Sequence, residues 1–276
     1  MPSAINNLSK LCVHTQTNKP WGLRECAEHY SNAGIHAITV WRNVLEDITL
    51  ADAKKMLDDN GMQVVSLCRG GFFPSVDARQ RQAAIDDNLR AIEQAAAIGA
   101  PMVVLVCGAD ARQSLELSRE QVKEGINAIL PAAKAAGIKL AIEPLHPMYA
   151  GDRSAVNTMQ QANDMAVEIN SPYAGVAVDV YHLWWDDHLQ HEIQRCGDNG
   201  HLFAFHICDW KVPTADFLLD RGLMGEGCIN IPQIRGWVEA AGFIGFNEVE
   251  IFSSVYWQQD QHVFLQKVID AYLHHA

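Results

Sequence analysis

Short apolar runs recur along this chain, each separated from the next by enough residues for one helix. They occupy residues 10–14, 37–41, 63–68, 102–107, 139–143, 175–179, 202–208 and 247–251. Each is rich in Val, Ile, Leu or Phe and shows little polar alternation, the pattern of parallel strands covered on both faces. Helical patterning fills the intervals at 23–33, 49–60, 78–98, 118–136, 155–169, 183–195, 231–241 and 257–273. Gly34, Gly61, Gly99, Gly137 and Gly242 stand where five of these helices must stop and turn toward the next strand.

Eight strand–helix alternations in 276 residues predict an α/β fold, a single (β/α)8 TIM barrel filling residues 1–276 as one domain. A doubly wound nucleotide fold would place a glycine fingerprint after the first strand. Here that strand runs into Thr15-Gln16-Thr17-Asn18-Lys19-Pro20. The longest irregular stretch, 209–230, carries Lys211, Arg221 and the turn Gly225-Glu226-Gly227. A loop of that length in a compact domain is expected to serve the site.

The chemistry sits at the strand ends. Ile142-Glu143-Pro144-Leu145-His146 closes the fifth strand with a carboxylate and puts an imidazole three residues later. The sixth strand ends in Asp179, the seventh reaches His206, and the eighth carries Glu248 and Glu250. A carboxylate ending a buried strand is costly unless a cation meets it there. In a barrel all strand C-termini open into one mouth, so Glu143, Asp179, His206 and Glu250 on four consecutive staves can reach a single ion. Three oxygen donors and one nitrogen suit a divalent metal, Mn²⁺ before Mg²⁺, Co²⁺ or Zn²⁺. His146 and His182, each three residues past a ligand, and Arg221 on the long loop are the expected substrate contacts. His14, Trp41-Arg42 and Arg69-Gly70-Gly71 at other strand ends are weaker candidates. Arg153 reads as the partner of Asp152 in a solvated pair. Trp184-Trp185 suits sugar stacking, core packing or a homo-oligomer contact equally.

Composition narrows the partner. Lys plus Arg number 21 against 33 Asp plus Glu, a formal charge of −12, and no basic run interrupts the acidic surplus. Nucleic-acid binding is therefore not expected. No apolar run approaches the roughly 20 residues that cross a membrane. The seven cysteines are scattered without a C-x-x-C pair, and no signal peptide precedes them, so a reducing cytoplasm is expected.

The motifs Glu143-Pro144-Leu145-His146, Val178-Asp179-Val180-Tyr181-His182, Phe205-His206-Ile207-Cys208-Asp209-Trp210 and the segment from Gly242 to Glu250 resemble the xylose-isomerase-like barrels, which include inosose isomerases and ketose 3-epimerases. The resemblance runs over the whole chain and is most specific from Lys139 to Phe252. It implies that Glu143, Asp179, His206 and Glu250 bind the ion and that Glu143 and Glu250 also move protons. It further implies that Arg221 binds substrate. Glu248 shares the parity of Glu250 along the strand and rivals it; the family's spacing from Gly245 favours Glu250. The implied activity is isomerisation or epimerisation of a small keto sugar or inosose through proton transfer α to a carbonyl. Elimination from 3-keto-glycosides, an endonuclease IV-type nuclease and a non-catalytic sugar-binding barrel are the alternatives.

Overall fold

The computed structural model describes residues 4–276. Eight parallel strands close a barrel: β1 (Leu11–His14), β2 (Ala37–Trp41), β3 (Gln63–Gly71), β4 (Met102–Val106), β5 (Lys139–Glu143), β6 (Ala174–Asp179), β7 (Leu202–Ile207) and β10 (Asn247–Val249). The two remaining strands, β8 (Asp209–Trp210) and β9 (Arg221–Gly222), form a separate antiparallel ribbon inside the long loop. The outer helices are α1 (Leu23–Asn32), α2 (Leu50–Asp59), α3 (Ala78–Ile98), α4 (Leu115–Ala136), α5 (Met159–Ile169), α7 (Leu189–Asp198), α8 (Ile231–Ala240) and α9 (Gln261–His275). The single turn α6 (Val180–Leu183) follows β6 directly.

Alternation within each strand divides the core in two. Leu11, Val13, Ile38, Val40, Leu140, Ile142, Val176, Val178, Phe205 and Ile207 belong to the layer between strands and helices. The opposite parity places Cys12, Cys68, Val104, Ala141, Ala177 and Ala204 inside the barrel. Two residues further along those same inward rows come His14, Glu143, Asp179 and His206, because side chains repeat their direction every second residue. Cys12, Ala141, Ala177 and Ala204 fill the layer just below, and the polar residues gather at the C-terminal mouth.

Gly99 and Gly137 end α3 and α4 in the left-handed region, at φ 80° and 71°, where a side chain would be strained. The helix expected at 155–169 begins only at Met159. Thr158 caps it by accepting from the Gln161 amide, while Ala155 and Val156 extend to bond Gly108 and Leu145. The helix expected at 183–195 is split into α6 and α7. Asp179 caps α6 by accepting from the Tyr181 amide at 2.7 Å, and Asp186 makes the next turn by accepting from the His188 amide. Among the described residues no helix is long and apolar enough to cross a membrane.

Candidate active site

Ligand-type atoms from Glu143, Asp179, His206 and Glu250 lie within 4.8 Å of one another, and all four residues are buried. Their convergence follows from register. Asp179 pairs directly with His206 across β6 and β7, and His206 pairs with Glu248 across β7 and β10. Glu143 closes β5, and Glu250 emerges just past β10 with its amide bonded to the Ile207 carbonyl at 3.2 Å. His206 turns Nδ1 toward Glu143 Oε1 at 3.1 Å.

Glu248 has a different setting. One layer deeper in the barrel, its Oε2 accepts from Thr39 Oγ1 at 2.6 Å and Ser66 Oγ at 3.1 Å, with His14 Nε2 at 3.3 Å. The same oxygen lies 3.8 Å from His206 Nε2, which has no hydrogen-bond partner among the described residues. Glu248 thus stands behind the histidine, in the place of a carboxylate that orients a metal-bound imidazole. His14 joins the two acids, with Nδ1 3.0 Å from Glu250 Oε1. The sequence ranked His14 low; only its fully buried contact with both acids reveals what it does.

Arg221 is 3 % exposed and reaches Asp179 Oδ2 at 3.3 Å and Glu250 Oε2 at 2.8 Å. Its guanidinium lies over the rings of Tyr181 (4.4 Å) and Phe252 (4.9 Å). The two-residue ribbon sets this position, pairing Trp210 with Arg221. His182 Nε2 stands 3.2 Å from Arg221 Nη2. His146 is not among the residues lining the cavity. Its backbone N–H is directed at His182 Nδ1 at 3.3 Å, and its ring packs against Trp185 and Trp210. Trp184 also lies against Trp210, so this tryptophan pair builds the wall behind the site.

Electrostatics follow from crowding. Burial works to raise Glu250, yet His14 and Arg221 hold it well below the usual carboxylate range. Burial opposes a charge on His206, but Glu248 and Glu143 outweigh it and raise its pKa to about 10. Asp179 is raised by burial against the pull of Arg221. Burial and the neighbouring Arg221 drive His182 well below the usual imidazole range.

The donor set fits a divalent cation. Metal–ligand bonds of about 2.0–2.2 Å place ligand atoms up to roughly 4.4 Å apart, the scale of the observed cluster. Four buried carboxylates, Glu143, Asp179, Glu248 and Glu250, face Arg221, His14 and His206. A two-plus charge among Glu143, Asp179 and Glu250 complements that surplus.

Glu143 and Glu250 of the ring line a cavity of about 800 Å³. Trp41, Phe72, Tyr149, Phe252 and Trp257 supply aromatic surface, and Arg42, Arg69, Arg153 and Arg221 supply charge. Leu218 and Leu219 of the long loop form part of the wall. Tyr149 and Tyr181 fasten that loop by donating their hydroxyls to the Phe217 carbonyl, both at 2.8 Å. The loop's glycines are explained by Asp209. Its carboxylate accepts from the backbone amides of Trp210, Gly225, Gly227 and Ile229 at 2.8–3.0 Å.

Comparison with known proteins agrees with this architecture. The chain is 25% identical over 260 residues to an inosose isomerase of Halalkalibacterium halodurans, covering 90% of each. A solved protein from Sinorhizobium meliloti 1021 superposes with a TM-score of 0.93 at 45% identity, over 96% of this chain and 98% of that one. The IOLI protein, crystallised with a zinc atom, superposes with a TM-score of 0.83 at 21% identity, over 95% and 96% of the two chains. The family model for the xylose isomerase-like TIM barrel matches residues 27–268, and the chain belongs to that family.

Proposed function

We propose that the protein is a divalent-metal-dependent isomerase or epimerase acting on a keto sugar or inosose. The observation that carries this reading is the buried cluster of Glu143, Asp179, His206 and Glu250, of which Glu143 and Glu250 line a cavity large enough for a small-molecule substrate. The inosose isomerase relatives support the substrate class. Glu143, Asp179, His206 and Glu250 would hold the ion, with Mn²⁺ favoured by the oxygen-rich set. When bound, the ion supplies Lewis-acid polarisation of the substrate carbonyl.

The chain's own groups do the rest. Glu143 and Glu250 come from the two ends of the arc β5–β6–β7–β10, so a carbon seated between them is reached from two directions. One carboxylate takes the proton α to the carbonyl, and the other returns it. Return to the opposite face of the same carbon is epimerisation; return to the neighbouring carbon is isomerisation. Arg221 holds Asp179 and Glu250 in place with His182 beside it, and both Arg221 and His182 border the cavity, where they meet sugar oxygens. His146 acts through His182. We place the reaction in a reducing cytoplasm, on the ground that seven free thiols, six of them buried, occur without a disulfide among the described residues.

The test is incubation of keto sugars and inososes with Mn²⁺-loaded enzyme in D₂O, followed by NMR of the C–H beside the carbonyl. Deuterium should enter substrate or product, and Glu143→Gln and Glu250→Gln should each lower exchange by about 10²-fold or more. Product without deuterium at full rate in both variants would sink the two-carboxylate mechanism. Release of an aglycone from a 3-keto-glycoside would move the protein to the lyases.

A further inference from the structure

The cavity's cations are not equally occupied. Arg42 is bonded by Asp87 at 2.7 and 2.9 Å and by Gln94 at 2.7 Å, and Arg221 by Asp179 and Glu250. Arg69 differs: among the described residues no carboxylate lies within 4.0 Å of its guanidinium, and its flat face rests on the Phe72 ring at 4.3 Å. Arg153 lies over the Tyr149 ring at 5.4 Å, and the one carboxylate within 4.0 Å of it among the described residues is Asp152, a side chain 72% exposed, so water screens that contact. Both line the cavity.

The backbone beneath them is rigidly built. Asn88, 1% exposed, clamps Gly71 by accepting from its amide at 2.7 Å and donating to its carbonyl at 2.8 Å. Gly71 packs so closely on β4 that a Cβ there would meet the Val106 carbonyl oxygen at 1.9 Å. Phe72 sits at φ 55°, a conformation that a bulky residue adopts only when its surroundings impose it. Gly108 ties the two arginine segments together. A Cβ on it would lie 2.6 Å from the Phe72 Cα, while its amide bonds the Arg153 carbonyl at 2.8 Å. The repulsion is felt, since burial and the Arg153 charge lower the proton affinity of Arg69 against the weaker pull of Glu143 and Glu250. Two like charges held on one scaffold, with no carboxylate nearer than the exposed Asp152 at 4.0 Å among the described residues, are arranged for an anion that arrives from outside. Planar guanidinium forks match the two oxygens of a carboxylate or a phosphate.

We propose that the cavity selects sugars carrying an oxyanion, a carboxylate or a phosphate ester, which sits against Arg69 and Arg153 while the carbonyl end faces the carboxylate ring. The orientation rests on the function proposed above; the anion site itself does not. Of the other acids lining the cavity, Asp87 is already held by Arg42 and Glu250 by Arg221, and Lys19 over the Trp257 ring adds a further cation.

Calorimetric titration of the Mn²⁺-loaded protein with D-fructose, D-fructose 6-phosphate and D-fructuronate tests it without requiring turnover. One charged sugar should bind at least about tenfold tighter than D-fructose, the scale of one charge-assisted contact. Which of the two gains separates phosphate from carboxylate. The charged-to-neutral ratio should collapse to within about threefold in Arg69→Gln and in Arg153→Gln. These lie on different segments, and unchanged far-UV circular dichroism identifies a folded variant. No gain for either charged sugar, or a gain that survives in both variants, overturns the proposal. Charge preference without deuterium exchange would leave this site standing and remove the isomerase reading; exchange on neutral sugars with no charge preference would do the reverse.

Discussion

Glu248 and Glu250 show how two residues of one strand, alike in sequence, receive different work. Both face inward because they are two apart. Glu248 lies within the paired part of β10, opposite His206, and is fixed by Thr39, Ser66 and His14. Glu250 lies just beyond the paired strand and meets Asp179, His206 and Glu143 at the mouth. Replacing Asp179 or Glu250 by Ala should therefore remove most of the bound metal, measured by elemental analysis after dialysis. Glu248→Gln should keep a stoichiometric ion with affinity lowered by about 10–100-fold, because it loses the group behind the His206 imidazole rather than a ligand. Undiminished metal in Asp179→Ala would show the ring to be misassigned. Stripped metal in Glu248→Gln with normal content in Glu250→Ala would exchange the two roles.

At the scale of elements, the loop between β7 and α8 is long but not loose. Asp209 gathers four backbone amides from both of its ends, and β8 and β9 pair across it, so the loop closes on a buried carboxylate. Gly227 is required at the closure, since a Cβ there would lie 2.1 Å from the Trp210 carbonyl oxygen. Asp209→Ala leaves these donors unmatched. Its cost should be on the order of 3 kcal/mol, given about 1–3 kcal/mol per unsatisfied buried group with partial rehydration. Thermal unfolding should show Tm lower by about 6–12 °C. Because the loop delivers Arg221, proton exchange should fall with it. A variant with wild-type Tm would mean that the amides find other partners and that the cage does not hold the loop.

For the whole molecule, the barrel is a frame that forces like charges together at one end. Strand closure and helix packing hold Glu143, Asp179 and Glu250 within reach of one another against their mutual repulsion, so the folded state gains what an added cation gives it. Titrating Mn²⁺ into chelator-treated protein to about 1,000 times Kd should add about 4 kcal/mol of stability. That corresponds to a Tm rise on the order of 10 °C by scanning fluorimetry. Asp179→Ala should show little of that rise. An equal shift in the variant would mean that the ion binds elsewhere.

Much of this architecture was written locally. Apolar runs, helical periodicity and glycine stops mark eight units because each depends on residues within a few positions, and the barrel follows from their number and order. The ring was legible for a related reason: strand direction sends every C-terminal end to the same mouth, so Glu143, Asp179, His206 and Glu250 could be grouped before any distance was known. Other features depend on contacts between residues far apart in the chain. His14 becomes the bridge between Glu248 and Glu250 only because β1 closes against β10, a pairing across more than 230 positions. Arg153 keeps its exposed contact with Asp152 at 4.0 Å yet also lines the cavity, because Gly108 anchors its backbone beside Phe72. Gly225 and Gly227, featureless as a motif, become an amide cradle when Asp209 is folded into it. Local sequence determines which segments form strands and helices and which residues end them. Which of the charged groups meet a counter-charge, and which are left facing the cavity, is decided only when the barrel closes.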